Sequence, residues 1–229
     1  MLQPAEIEVV LLSLRVALLA VLVSLVPAVA AAWVLARFRF PGKALFDALV
    51  HLPLLLPPVL TGYVLLLAFG SQGVIGGWLA RYLGLELAFR WTGAVLAAAV
   101  MAFPLFVRAI RLSFEAIPRD YEEMAASLGA RRWATFVQVD LPLAMPGLAA
   151  GAALAFAKAL GEFGATITFV SSIPGQTRTL SLAMHQLMQQ PGGEAGITRL
   201  AVVSLLLALG ALLASEWLAR RSRVRRASE

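Results

Sequence analysis

The stretch RAIRLSFEAIPRDYEEMAASLGARRWATFVQVDLP, residues 108–142, is the longest charged segment in an otherwise apolar chain. Pro118 suits the start of a helix, and Asp120, Glu122 and Glu123 in its first turns complement the helix dipole. Tyr121, Met124, Ala125 and Leu128 recur at spacings of three and four, which makes an apolar stripe on one helical face. Gly129 suits the end of that helix, where a left-handed residue closes the last turn. A second short helix is expected from about Arg131 to Val139, before Leu141 and Pro142. The pattern predicts a helix–Gly–helix element lying across one face of a membrane.

The membrane follows from composition. Of 229 residues, 60% are hydrophobic and 14% charged, with a mean hydropathy of +0.83; a soluble domain carries about 25% charged residues. Several apolar runs reach the roughly 20 residues that cross a bilayer as a helix. An all-α protein of about five spans is expected, over 9–36, 44–70, 92–107, 144–168 and 197–218. The first run is too long for a signal peptide, and Glu6 and Glu8 precede it where basic residues would be needed. The second contains Pro53, Pro57 and Pro58, which predict a break near Leu56. Such a break must be covered by protein or a water path, because lipid cannot satisfy the freed carbonyls. Residues 71–92 read as a polar external connection with Trp78, Tyr82 and Trp91 at the interface. Residues 171–196 contain Pro174, Arg178, Pro191 and Glu194 and argue against a sixth span, although 180–190 suits a re-entrant or interfacial helix.

Charge orients the chain. Thirteen of its 19 Lys and Arg residues fall on the side of the charged loop, including Arg37, Arg39, Lys43 and five arginines from Arg220 to Arg226. Arg81, Arg90, Arg178 and Arg199 fall on the other side, and Arg15 and Lys158 lie within spans. The positive-inside bias then places the N-terminus outside and the C-terminus in the cytoplasm. The same bias accounts for the net charge of +6, and no basic stripe interleaved with aromatics points to nucleic acid. With no cysteine, thiolate metal sites and disulfides are excluded. His51 and His185 lack a second ligand at helical spacing, so no metal and no cofactor is expected.

Glu123-Met124-Ala125, three residues, Gly129, nine residues, Val139, one residue, and Leu141-Pro142 reproduce the spacing of the EAA loop. The chain thereby resembles the permease subunits of ABC importers, with Met124 standing where that family usually has alanine. The resemblance implies a type I importer permease fold and a docking role for Glu123, Ala125, Gly129, Val139, Leu141 and Pro142 in a groove of a separate ATPase. No phosphate cradle of the form G-x-x-x-x-G-K-[ST] is present, since Gly42-Lys43 is followed by Ala44. The chain itself is therefore not expected to be an enzyme.

Lys158 and Glu162, four apart, are expected on one face of the fourth span. Charges at that depth face a bundle interior or a water path. Glu162, Gly164 and Thr166 are the candidate gate or path residues, with Thr168, Ser171 and Ser172 as further hydroxyls. The stretches GEFGATITFVSSIPGQTRT, LPLLLPPVLTGYVLLLAFG and FRFPGKALFDALVHLP resemble molybdate permease subunits, over nearly the whole chain. This implies a homodimer in the cytoplasmic (inner) membrane of a prokaryote, two copies of an ABC ATPase inside and a molybdate-binding protein outside. Tungstate, or sulfate and thiosulfate, are the related cargoes left open. An ion-coupled carrier, which often shows internal repeats, and a non-transporting scaffold are the readings from other classes.

Overall fold

The computed structural model describes residues 2–227, with side chains described as far as Trp217 apart from Ser215. The side chains of Arg220, Arg221, Arg223, Arg225 and Arg226 lie outside the described residues. Every regular element among the described residues is a helix, and long apolar helices form the frame. Helix α1 (Pro4–Arg37) has 34 residues, about 51 Å at 1.5 Å per residue, more than a hydrocarbon core needs. Its Gln3 backbone N–H donates to the Glu6 carboxylate at 2.7 Å, closing the first turn.

The second run divides into α2 (Lys43–Leu55) and α3 (Pro58–Phe69), bent by 112° at the break. Leu56 is extended at φ −76°, ψ 146°, as residues before proline prefer. Pro57 and Pro58 supply no N–H with which to continue the ladder. Next comes α4 (Val74–Leu83), ended by Gly84 at φ +63°. This helix falls inside the stretch read as a polar connection, where the paired glycines Gly76 and Gly77 disfavour a helix.

Helix α5 (Trp91–Glu115) packs along α1 through small residues. Ala17, Ala20, Ala28, Ala31 and Ala32 on α1 and Ala94, Ala97, Ala98 and Ala102 on α5 are all buried. Small side chains let two backbones approach closely where lipid gives no hydrophobic drive. Helix α5 also runs two turns beyond the expected end at Val107. Arg111, read as a loop residue, instead pairs on the helix with Glu115 at 2.7 Å and with Asp47 of α2 at 2.9 Å.

The charged loop holds α6 (Asp120–Ser127) and α7 (Arg132–Thr135). The expected second helix is not a separate element. From α7 a π turn at Phe136–Asp140 leads without interruption into α8 (Leu141–Leu160), a continuous rod over Arg132–Leu160. The fourth apolar run breaks at Gly161 and resumes as the short α9 (Gly164–Val170). Glu162 therefore lies in the link and not on the helix that carries Lys158, which corrects the single-helix reading. Helix α10 (Leu180–Met188) buries Leu180, Leu182 and Ala183, and α11 (Glu194–Ala227) closes the chain. Among the described residues, four helices, or five with the bent pair as one, are long and apolar enough to cross a membrane.

Candidate functional site

Two places carry the chemistry-bearing residues. At the first, α6 ends in a Schellman turn: Ala130 N–H donates to Ala125 C=O and Gly129 N–H to Ala126 C=O, both at 2.9 Å. Gly129 sits at φ +81°, and a Cβ placed on it would meet nothing within 4 Å. Glycine is needed there for backbone shape and not for lack of room. None of the eight residues of α6 is buried. Its apolar stripe faces outward: Tyr121 and Met124 are exposed, and Leu128 is 88% exposed. Trp133 on α7 and Val137 on the π turn are exposed as well. Of the expected docking residues, Glu123, Gly129 and Pro142 are exposed, and Ala125, Val139 and Leu141 are half-buried.

The second place joins the two broken helices. A Cβ on Gly62 of α3 would lie 2.5 Å from the Ala165 carbonyl oxygen and 2.9 Å from Thr168 Cβ. One on Gly164 would lie 2.6 Å from Pro58 Cβ. The proline break of α3 and the glycine break before α9 are thus in direct contact. Glu162 is 3% exposed; its carboxylate accepts from Lys158 Nζ at 2.7 Å and from Ala165 N–H at 3.0 Å. The buried carboxylate is thus paired with a half-buried cation and caps the start of α9. Thr166 is buried, and Thr168 Oγ1 turns back to donate to the Gly164 carbonyl at 2.9 Å. Ser171 takes φ +62° at the end of α9.

Sequence reasoning singled out Glu162 and Gly164 as gate or path residues and Pro57 and Pro58 as a break, without the contact between them, and it missed Gly62, whose only signal is its place four residues after Pro58. It also missed the residues that seat the charged loop: Trp33, Arg37 and Asp140. Arg37 was counted only for its charge. At the opposite end, Arg199 of α11 grips Glu6 of α1 with bonds of 2.7 to 3.1 Å. His51 contacts Asp47 at 3.1 Å, and His185 lies against Phe163 with ring centroids 4.8 Å apart. Among the described residues no group of three or more His, Asp or Glu is placed to hold a metal ion.

Residues 16–224 match the family model of the binding-protein-dependent transport system inner membrane component. The molybdenum transport system permease protein ModB of Escherichia coli K12 is 57% identical over 220 residues, covering 96% of each chain. The ModB of Haemophilus influenzae is 52% identical over 216 residues, covering 94% of each. Among solved structures, a subunit of a bacterial alginate ABC transporter superposes with a TM-score of 0.75 at 17% identity, covering 96% of this chain and 80% of that one. That likeness concerns the fold alone. With its several apolar helices, the chain belongs to the binding-protein-dependent transport system inner membrane component family, as a multi-pass inner membrane permease of the ABC importer class.

Proposed function

We propose that this chain is the membrane subunit of an ATP-driven importer of molybdate. The whole of 1–229 is read as one permease domain, with its N-terminus outside and its C-terminus cytoplasmic. Two copies form a homodimer, two copies of a separate ABC ATPase dock on the 108–142 loop, and an extracytoplasmic molybdate-binding protein delivers the cargo. One observation carries the reading: an apolar stripe on α6 that the chain leaves uncovered, on a helix closed by Gly129. Exposed apolar surface of this kind marks a partner's site, and a groove in the ATPase suits a helix with anchors at spacings of three and four. The degree of identity to the ModB proteins supports molybdate as cargo.

Energetics agrees with an external source of work. Bringing a dianion into a cell against a 100 mV inside-negative potential costs about 5 kcal/mol. The sequence contains no phosphate cradle, so the ATP is hydrolysed elsewhere. The second copy has a physical motive as well. On α3, Val59, Leu60, Tyr63, Val64 and Leu67 are exposed beside the proline break, where backbone must be covered by protein or water. Glu162, Gly164 and Thr166 serve the gate by bracing the hinge between α8 and α9, not by holding the anion. A carboxylate repels an oxyanion, and Thr166 is buried in the chain's own packing.

Reconstitution with the ATPase and binding protein in vesicles tests the proposal. Radiolabelled molybdate should enter only with ATP and both partners, and excess tungstate should compete. Uptake driven by a proton or sodium gradient without ATP would overturn it. Sulfate competing as well as tungstate would reassign the cargo.

A further inference from the structure

Helix α6 buries none of its residues, so apolar packing does not fasten it to the bundle. Charge does. Arg37 closes α1, its side chain only 7% accessible, and its Nε lies 2.7 Å from Glu122 Oε1 of α6. The same guanidinium donates to the Ile117 carbonyl at 3.3 and 3.4 Å, just past the end of α5. Its Nη2 also lies 3.6 Å from Asp140 Oδ1. Asp140 is buried at the end of the π turn that roots α8, and its other oxygen accepts from Trp33 Nε1 of α1 at 3.3 Å. The Trp33 ring stands against Phe136 of that turn, centroids 4.6 Å apart. A cavity of about 260 Å³ lies beside these groups, lined among others by Trp33, Arg37, Glu122 and Asp140.

We infer that Arg37 is a positioning residue for energy coupling: through Glu122 and Asp140 it carries displacement of α6 to α1 and α8 together. Helices α5 and α8 are joined covalently to the loop and move with it in any case. Helix α1 packs along α5, and this cluster adds a direct link from its end to Glu122, more than 80 residues away in sequence. One cation shared by two carboxylates fits such a role. It is drawn to both, so neither α6 nor the α8 root can shift without shifting the other's counter-charge. A π turn at the root supplies a place where the rod can flex.

The inference rests on α6 as the ATPase-docking helix, and the test separates the two. In vesicles holding the complete transporter, molybdate uptake and phosphate release are measured together for Arg37→Gln, Glu122→Gln and the double variant. The ATPase subunit should co-purify with all three. Arg37→Gln should keep at least half the phosphate release while uptake falls tenfold or more. Glu122→Gln should follow in the same direction, and the double variant should be within twofold of the worse single one. An unchanged uptake per phosphate in Arg37→Gln, or effects that multiply in the double variant, would overturn the inference. Should Arg37→Gln not assemble, Arg37→Lys and Trp33→Phe decide in its place. A lower uptake per phosphate in either supports the role, and an unchanged ratio in both removes it. Retention of the ATPase subunit by Leu128→Asp would count against the docking reading instead, whatever Arg37 does.

Discussion

The contact between α3 and α9 and the turn after α6 both depend on glycine, for opposite reasons. At Gly62 and Gly164 there is no space: a Cβ would meet Ala165 backbone or the Pro58 ring. At Gly129 there is open space, and the need is a φ of +81°. Inside the bundle glycine sets a distance between two helices. On the loop it sets the direction in which the chain leaves a helix. The first region is held by shape, with Glu162 as a brace. The second presents an uncovered face, and its links to the bundle are charged. In the proposed importer the first would serve as a closely packed hinge and the second as a loop open to a partner.

Substitutions that tell these causes apart can break or sharpen the contrast. Gly164→Val should have the largest effect on stability. Its side chain must displace Pro58, and overpacking of this kind costs about 3 kcal/mol. Thermal unfolding in detergent should show a marked loss, and transport should vanish with the folded yield. Gly129→Val should cost about 1–2 kcal/mol, the strain of a left-handed residue bearing a Cβ. The protein should still insert and fold, yet ATP-driven uptake should fall at least tenfold because the turn re-aims α6. Normal uptake would place the turn outside the coupling machinery.

A smaller stability loss is expected of Glu162→Gln, about 1 kcal/mol. The amide oxygen still accepts from Ala165 N–H, and Lys158, with its side chain 29% exposed, can turn toward water. Glu162→Ala removes the cap too and should lose more; equal losses in unfolding experiments would show that the cap contributes nothing. Least of all, Leu128→Asp should leave unfolding within about 0.5 kcal/mol of the parent. Its affinity for the ATPase subunit should nonetheless drop tenfold or more, as for an interface anchor. A pull-down titration reads this directly.

Much of the fold was legible because it obeys local rules. The proline break needs only Pro57 and Pro58, since a missing N–H interrupts a helix wherever it lies. The turn at Gly129 needs only the spacing of an apolar stripe and a glycine after it. Helix ends were less legible. Arg111 marked the edge of a span by its charge, but Asp47 and Glu115 neutralise it and α5 continues. Helix α4 was hidden by paired glycines, and the continuity of α7 with α8 by a charged stretch followed by Leu141-Pro142. Of the candidate sites, Glu162 and the loop were visible as unusual residues in apolar or charged surroundings. Gly62 and Asp140 were not, because their importance lies in what they touch.

The glycines and the loop thus divide between two sources of information. The sequence alone determined that this is a membrane-spanning helical chain, where its second span breaks and where the turn at Gly129 lies. These depend on backbone chemistry and hydropathy, which act within a few residues. Only the tertiary structure decided that Gly164 meets Pro58, that Glu162 caps α9, and that Arg37 stands between Glu122 and Asp140. Those contacts join residues some 80 to more than 100 positions apart, apart from the local cap. They arise when alanine-lined helices close on one another and fix which side chains share an interior.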